Sequence, residues 1–347
     1  MSKSGARCER GVCDPCHDDL ANPIMAASLP PPICIVIVNW NSWQLLDQCL
    51  HALAQQTWQN FKVVVVDNAS TQPVPETFLE RHANIEFIWS DNNPGFAAAN
   101  NRVIQSKQEV EWFALLNPDA FPEPDWLARL MEATQQHPGY AAFGSRQLIA
   151  GSEHLLDGEG DAYHISGLAW REGHGKVAAS ASQEVREIFS PCAAAALYRR
   201  NALIEADGFD EDFFCYMEDV DLGFRLRLAG YRSLLVPSAV VRHIGSATSG
   251  GQKSDFSVYH GHRNLVWCYV KNMPAALFWL LLPLHIAMNL AAIVVYTLRG
   301  QAHIILKAKK DALYGLPLVW KKRKHIQAGR TAGYAEIWRI LRKTFPG

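Results

Sequence analysis

Apolar, β-branched runs alternate with amphipathic stretches along the first third of the chain. The uninterrupted run Ile33–Val38 predicts a strand that is buried on both faces. Trp43–Gln55 has the apolar spacing of a helix. Further strands are expected at Phe61–Val66, Ile85–Trp89 and Trp112–Leu116, and a further helix at Phe96–Gln105. This alternation predicts an α/β fold built on a Rossmann-like, doubly wound and mostly parallel sheet.

Polar residues follow each of these four predicted strands. Ligands of doubly wound sheets bind beyond the carboxyl ends of the strands, so the pattern predicts that the four clusters line one site. Each cluster taken alone could equally be a turn or a helix cap. The clusters are Asn39 with Asn41, Asp67–Ser70, Asp91–Asn93 and Asn117–Asp119.

Three carboxylates, Glu218, Asp219 and Asp221, fall within four positions, ahead of a segment whose apolar spacing predicts an amphipathic helix, Leu222–Leu228. Neighbouring acids repel one another and raise each other's pKa, which suits a carboxylate that acts as a general base. The alternative is an acidic first turn that complements the helix dipole.

An apolar segment, Pro274–Leu298, carries no formal charge if His285 is neutral. As a helix it would be about 37 Å long, enough to cross a bilayer. A single crossing would export the basic residues that follow, against the positive-inside tendency. Because Pro283 lies mid-segment, the sequence favours a re-entrant or interfacial helical hairpin, with a buried core helix as the alternative.

The composition allows a sizeable core and argues against a nucleic-acid partner, since 49% of the 347 residues are hydrophobic and the net charge is −1. The charge is unevenly placed. From Arg299 onward, twelve Lys or Arg residues stand against two acids, Asp311 and Glu336. A basic tail after an apolar segment predicts contact with an anionic membrane surface.

The cysteines fall into two groups. Cys8, Cys13, Cys16 and His17 lie close together with a C-x-x-C-H ending, which resembles a zinc half-site or a haem-attachment motif. No second half-site or signal-peptide core accompanies them, and a disordered leader over residues 1–31 is the favoured interpretation. The others predict buried free thiols in a reducing compartment: Cys34, Cys49, Cys192, Cys215 and Cys268.

Lined up in order, the motifs resemble family 2 of the inverting nucleotide-sugar glycosyltransferases, which have the GT-A fold. The resemblance covers roughly residues 33–270 and is strongest to the bacterial rhamnosyltransferases that build surface polysaccharides. The Gly-rich segment 151–182 would form loops and edge strands beside the acceptor. The matching pieces are Ile35–Asn41, Val65–Ser70, Asn93–Asn101, Leu116–Asp119 and Gly208–Phe214, which leads into Glu218–Leu222.

The resemblance implies a divalent cation, Mg²⁺ or Mn²⁺, beside the diphosphate of the donor. Asp119 matches the last acid of the family's D-x-D motif and is the expected ligand. His243 matches a family histidine near the metal or the diphosphate. Asn117 stands where the motif has its first acid, and is expected to contact ribose or sugar instead.

The resemblance also implies a pocket for the nucleotide-sugar. Asp67 matches the acid that recognises the base or ribose, and Gly95 would let the backbone approach the nucleotide closely. Arg263 matches a family arginine expected to meet a phosphate, a bridge to a tail carboxylate being the alternative. Other expected lining residues are Asn39, Asn41, Asn93 and Asn101.

Asp219 matches the second acid of the family's E-D pair and would remove the proton from the acceptor hydroxyl, with Glu218 in support. The single displacement would invert the anomeric centre without a covalent intermediate.

We therefore expect a GT-A domain over residues 32–270 and a membrane-associating helical region over 271–347. The enzyme would act on the cytoplasmic face of the inner membrane, moving a sugar onto a lipid-linked or polysaccharide acceptor. The resemblance favours dTDP-L-rhamnose as donor, and a UDP-hexose remains open. The alternative from another class is a non-catalytic protein that binds a nucleotide-sugar. Nicotinamide binding is disfavoured, because no G-x-G-x-x-G turn follows the first strand.

Overall fold

The computed structural model of the protein describes residues 33–152, 154–245 and 254–345. The described residues belong to one compact unit. The predicted leader, with its cluster of Cys8, Cys13 and Cys16, lies outside the described residues. The predicted boundary after residue 270 stays a prediction, and a helix runs across it, Asp255–Asn272.

The six elements predicted for the first third of the chain are all present, with ends within one residue of those expected. The described strands are β1 (Ile33–Asn39), β2 (Phe61–Asp67), β3 (Glu86–Trp89), β4 (Trp112–Leu116), β5 (Ala120–Pro122), β6 (Ala142–Ile149), β7 (Leu156–Gly158), β8 (Asp161–Tyr163), β9 (Ala169–Arg171), β10 (Arg186–Ile188), β11 (Ala195–Arg199) and β12 (Ser233–His243). The described helices are α1 (Trp43–Ala54), α2 (Phe78–Arg81), α3 (Gly95–Ser106), α4 (Trp126–Gln136), α5 (Arg200–Glu205), α6 (Glu218–Leu228), α7 (Asp255–Asn272), α8 (Ala275–Leu298), α9 (Ala302–Tyr314), α10 (Leu316–Ala328) and α11 (Tyr334–Ile340).

The main sheet has the strand order β10-β12-β6-β11-β4-β1-β2-β3. The four strands β3, β2, β1 and β4 run parallel, whereas β11 is antiparallel to both of its neighbours. The α/β class is thus confirmed, with a mixed sheet like that of GT-A proteins. Asn39 and Asp67 are register partners at the carboxyl ends of β1 and β2.

Helices cover both faces of the sheet, as a doubly wound fold requires. On one face, side chains of α1 and α4 such as Leu46 and Leu127 pack with Ile35. On the other face, α3 and α6 pack with Val36 through residues such as Val103 and Leu222. Alternate residues of β1 therefore enter opposite halves of the core, which explains the uninterrupted apolar run of this strand.

The predicted helix is α6, but the prediction that it is amphipathic is wrong. All its residues from Val220 to Leu228 are buried. Its arginines are buried in ion pairs, Arg225 with Asp221 at 2.8 Å and Arg227 with Glu187 at 2.8 Å. The charged residues of this helix therefore bind partners inside the protein and do not form a solvent-exposed face.

The apolar segment after residue 274 forms the single continuous helix α8, which contains Pro283. The expected hairpin break at this proline is absent, because a proline removes one backbone hydrogen bond and the turns on both sides carry the helix through. Within the described residues α8 is the one helix long and apolar enough to cross a membrane.

The five cysteines of the described part are all free thiols, as expected. Four are buried, and Cys215 is partly exposed.

Candidate active site

The carboxyl ends of β1 and β2 carry a preorganised acid. Asn39 donates to Asp67 Oδ1 at 2.8 Å, and the backbone N–H of Ser70 donates to Asp67 Oδ2 at 2.9 Å. The Ser70 hydroxyl adds a bond of 2.6 Å to Oδ1. Donors on both oxygens fix the orientation of this carboxylate.

Asn41 orders the loop that follows β2. It has a positive φ of 53°, and its Oδ1 accepts from the backbone N–H groups of Thr71 at 2.8 Å and Gln72 at 3.0 Å. Its side-chain carbonyl therefore ties the loop after β2 to the end of β1.

The turn before α3 is a capped turn, which is the alternative that the sequence left open. Asn93 Oδ1 accepts from the backbone N–H of Gly95 at 3.0 Å. Gly95 has a φ of +90°, and a Cβ there would lie 2.6 Å from the carbonyl oxygen of Phe214. The protein's own backbone thus comes close enough to Gly95 to require glycine, and approach of the nucleotide stays a prediction.

Two other residues expected to bind the donor are engaged inside the protein. Both amide hydrogens of Asn101 are used, at 2.8 Å to the Phe209 carbonyl and 2.9 Å to Glu211. Arg263 donates to the carbonyls of Asp212 and Phe213, at 3.0 and 3.1 Å, rather than to a tail carboxylate. These bonds hold the 209–213 segment, and contact of either residue with the donor stays a prediction.

Asp119 and His243 come together, although the sequence places them on different elements. His243 ends β12, and its Nε2 lies 3.3 Å from Asp119 Oδ1. The other ring nitrogen, Nδ1, lies 2.8 Å from Asp157 Oδ2. Asn117 opens the same turn, held by a backbone bond of 2.9 Å to Ala194.

The donor set fits a divalent cation. His243 Nε2 is buried without an aligned hydrogen bond, and it faces a carboxylate oxygen. A carboxylate that holds the remote ring nitrogen, as Asp157 does, is the usual support for a ligating histidine. No group of three or more His, Cys, Asp or Glu side chains suited to a metal occurs in the described ranges, so a cation here needs further ligands from a substrate or from water.

The pKa values of His243 and Asp157 are shifted in opposite directions, as expected for a histidine paired with a carboxylate. Burial favours neutral His243, but the adjacent carboxylates of Asp119 and Asp157 prevail and raise its pKa above the ordinary value. Burial likewise opposes ionisation of Asp157, yet His243 and the charge of Arg171 lower its pKa.

Glu218 and Asp219 open α6, which begins earlier than the predicted start at Leu222, so both acids lie in its first turn, the alternative that the sequence left open. Asp219 Oδ2 accepts from the backbone N–H of Ala193 at 3.2 Å, and Oδ1 accepts from that of Val220 at 2.8 Å. Burial raises the pKa of Asp219 despite these donors. Burial and the repulsion of Asp219 raise the pKa of Glu218 well above its usual range. Asp221 differs, since it is fully buried and bonded to Asn272 at 2.7 Å.

The loop before α6 is strained and is held by α7. Phe214, Tyr216 and Met217 all have positive φ, at 62°, 65° and 71°. Such conformations cost free energy in residues other than glycine. Asn264 Nδ2 lies 3.0 Å from the Cys215 carbonyl and 2.8 Å from that of Tyr216, so a side chain of α7 keeps the loop in place.

Arg171 links the two ends of the site and was missed from the sequence. It bonds to Asp157, the partner of His243, and its Nη2 lies 3.1 Å from Cys192 Sγ. Cys192 precedes Ala193, which donates to Asp219. A Cβ at Gly158 would clash with the arginine side chain, so this glycine makes room for it.

Asp161 is the second residue that was missed. It is the register partner of Arg171, and its N–H bonds to the Ser190 carbonyl at 2.8 Å. Burial and the nearby Asp219 raise its pKa well above the usual range. Asp157, Asp161 and Arg171 lie on strands of three residues, and the one available signal was the concentration of charged residues in the Gly-rich segment 151–182.

A family model, glycosyl transferase family 2, matches residues 34–206. Residues 34–206 therefore form a domain of glycosyltransferase family 2, called the family 2 domain below. The matched residues include Asn39, Asp67 and Asp119, whereas Asp219 and His243 lie beyond them.

The family 2 domain also has a curated relative whose name states an activity. The chain is 29% identical over 253 residues to the N-acetylglucosaminyl-diphospho-decaprenol L-rhamnosyltransferase of Mycobacterium tuberculosis (strain ATCC 25618 / H37Rv), covering 65% of this chain and 80% of the relative.

Solved structures share the fold at low identity. A mannosyltransferase from Pyrobaculum calidifontis in complex with GDP-Man and Mn²⁺ superposes with a TM-score of 0.52 at 16% identity, covering 87% of this chain and 86% of that one. GalNAc-T7 with UDP, GalNAc and Mn²⁺ gives a TM-score of 0.56 at 16% identity, covering 69% and 48%.

Proposed function

We propose that the protein is an inverting, metal-dependent glycosyltransferase that moves L-rhamnose from dTDP-L-rhamnose onto a lipid-linked or polysaccharide acceptor. The observation that carries the proposal is the connected set running from Asp119 and His243 through Asp157 and Arg171 to the segment that holds Asp219. Transfer across one sugar-phosphate bond requires a group that stabilises the leaving diphosphate and a base that takes the proton of the acceptor. The two ends of this set would supply them. The mycobacterial relative, named for L-rhamnosyl transfer to a lipid diphosphate, supports the choice of donor and acceptor.

In the proposed reaction, Asp219 takes the proton of the acceptor hydroxyl as that oxygen attacks the anomeric carbon. The new C–O bond forms on the face opposite the diphosphate, whose bond to the sugar breaks, so the configuration inverts. A raised pKa suits this role, because a base whose pKa lies nearer the working pH gains more from taking the proton. The Ala193 N–H aims the carboxylate.

Asp119 and His243 would hold the divalent cation, Mg²⁺ or Mn²⁺. A bound cation neutralises the charge that develops on the leaving diphosphate. Asp157 would keep Nδ1 of His243 protonated, so that Nε2 presents its lone pair. Asp67, with Asn39 behind it, would receive the base or ribose of the donor, and a UDP-hexose remains the alternative donor.

The lipid-linked acceptor places the proposed reaction at the cytoplasmic face of the inner membrane. The apolar helix α8 and the basic residues after it support this location.

A donor screen tests the function. Purified protein receives dTDP-L-rhamnose or UDP-hexoses with a membrane lipid extract, and nucleoside diphosphate release is measured. We expect release from dTDP-L-rhamnose, its loss in chelator, and a decrease of at least roughly a hundredfold in Asp219→Asn with donor binding retained. Binding without release from every donor would favour the non-catalytic alternative, and full turnover in Asp219→Asn would refute the assigned base.

A further inference from the structure

Helix α8 packs against the protein along one side, most closely through its first half, where Leu277, Leu281 and His285 are buried. It runs antiparallel to α7, and aromatic pairs join the two helices at two levels. The rings of Tyr269 and His285 stack with centroids 3.9 Å apart, and those of His262 and Tyr296 lie 4.6 Å apart. Just beyond the end of α8, Gln301 donates to Asp255 at 2.7 Å. Since α7 is itself packed into the domain, α8 is fixed along the surface rather than projecting from it.

The chain after α8 returns to the ends of α6 and β8. The backbone N–H of Thr331 donates to the Leu228 carbonyl at 2.8 Å, and that of Arg342 donates to the Tyr163 carbonyl at 2.9 Å. Both ends of α8 are thus tied to one body. If α8 crossed a bilayer, these bonds would break, because their partners would stand on opposite sides.

The outward side of α8 is apolar and exposed. Trp279, Leu290, Val294 and Leu298 are 64%, 58%, 58% and 83% exposed. The last three are four residues apart and form one stripe. A contiguous apolar patch of this kind on a soluble surface marks an interaction site.

The next two helices also carry exposed apolar residues, and lysines lie beside them. On α9, Lys310 lies between the exposed Leu306 and Leu313 at helical spacing, so all three share one face. On α10, the exposed Lys321 lies three residues after the exposed Leu318. Apolar side chains beside lysines match an anionic lipid surface, with acyl chains below and phosphates at the rim.

We propose that the exposed face of α8 and α9 inserts into one leaflet of an anionic bilayer, with α8 parallel to the membrane plane. The family 2 domain and residues 302–345 stay on the same side. This arrangement keeps the basic tail beside the anionic leaflet and needs no crossing. It deepens the proposed membrane location and rests on the proposed function only for the choice of membrane.

Vesicle flotation of the full chain tests the insertion. We expect binding to vesicles that contain phosphatidylglycerol and weak binding to pure phosphatidylcholine. Leu290→Glu with Leu298→Glu should lower the partition coefficient at least roughly tenfold. Leu79→Glu with Ile204→Glu, at residues 44% and 45% exposed elsewhere, is the matched control and should bind like wild type. Unchanged binding of the α8 variant overturns the proposal, as does a dimer that forms through this face and leaves vesicles unbound.

Orientation needs a second measurement. Protein bound to the outside of sealed vesicles is treated with a membrane-impermeant amine reagent and mapped by mass spectrometry. Lys62 of the family 2 domain and Lys343 after α8 are both exposed, and both should react. Protection of Lys343 until detergent is added would mean that α8 crosses the bilayer. Neither measurement depends on turnover, so a result that overturns the membrane proposal would not contradict the proposed reaction.

Discussion

The Nδ1 atom of His243 lies 2.8 Å from Oδ2 of Asp157, although 86 positions separate the two residues. The carboxylate fixes the tautomer and the ring plane of the histidine, which leaves Nε2 facing Asp119. This contact turns two scattered residues into an oriented donor pair, and it depends on the short strand β7.

Asp157→Asn should therefore weaken Mn²⁺ binding by about ten- to a hundredfold, because the amide loses the charge that orients and polarises His243. Calorimetric titration with Mn²⁺ and dTDP measures the affinity. The control is Asp47→Asn, which alters another carboxylate–histidine contact, 2.7 Å from His82 and remote from the site. Equal Mn²⁺ affinity in wild type and Asp157→Asn would contradict the supporting role of this acid.

Arg171→Met should shift the pH dependence of turnover. The charge of Arg171 lowers the pKa of Asp219, so its removal should raise that pKa by about one unit or more. A base must be ionised, and the acidic limb of the kcat profile should therefore move to higher pH. Arg171→Lys keeps the charge and should move it less.

Several other titratable groups lie close enough to Asp219 to interact with its charge, and they also influence its pKa. They are Glu218, Asp161, Cys192, Tyr198 and Cys215. Arg186→Met is the control, because Arg186 bonds to Glu159 at 3.0 Å, outside the connected set. An acidic limb that stays in place in Arg171→Met would mean that the arginine acts on stability alone.

Lys309 should make stability depend on pH. Burial lowers its pKa to about 7 in the folded protein, against about 10.4 in the unfolded chain. Between these values the unfolded state binds more protons, so the free energy of unfolding should rise as pH increases. Urea denaturation of wild type between pH 7 and 9 measures the rise. It should be smaller in Lys309→Met and unchanged in Lys310→Met, which alters an exposed neighbour; a rise of equal size in Lys309→Met would place its origin elsewhere.

Two helical glycines should respond oppositely to alanine. A Cβ at Gly223 of α6 would overlap the side chain of the buried Ser190, whereas a Cβ at Gly261 of α7 meets nothing within 4 Å. Gly261→Ala should stabilise by up to about 1 kcal/mol through helix propensity. Gly223→Ala should destabilise by about 1–3 kcal/mol through overpacking. Denaturant unfolding of both variants checks the signs.

The sheet could be predicted well from the sequence, because short β-branched apolar runs such as Ile33–Val38 are typical of strands buried on both faces. The sequence also indicated that Asn39 and Asp67 meet, since parallel strands end together. It could not locate Asp157 or Arg171, because a three-residue strand is too short to show a period. The prediction that α6 is amphipathic failed, because the sequence cannot show whether Arg225 and Arg227 face solvent or form ion pairs inside the protein.

The strained loop before α6 has a consequence for recombination between related enzymes. Its geometry is stabilised by Asn264, a residue that follows it by dozens of positions. If the acidic segment alone were exchanged, the new sequence would lack the matching residue at position 264, and the loop would lose its strained conformation. Crossover points that preserve activity should therefore fall outside residues 211–272, so that loop, α6 and α7 are inherited as a block.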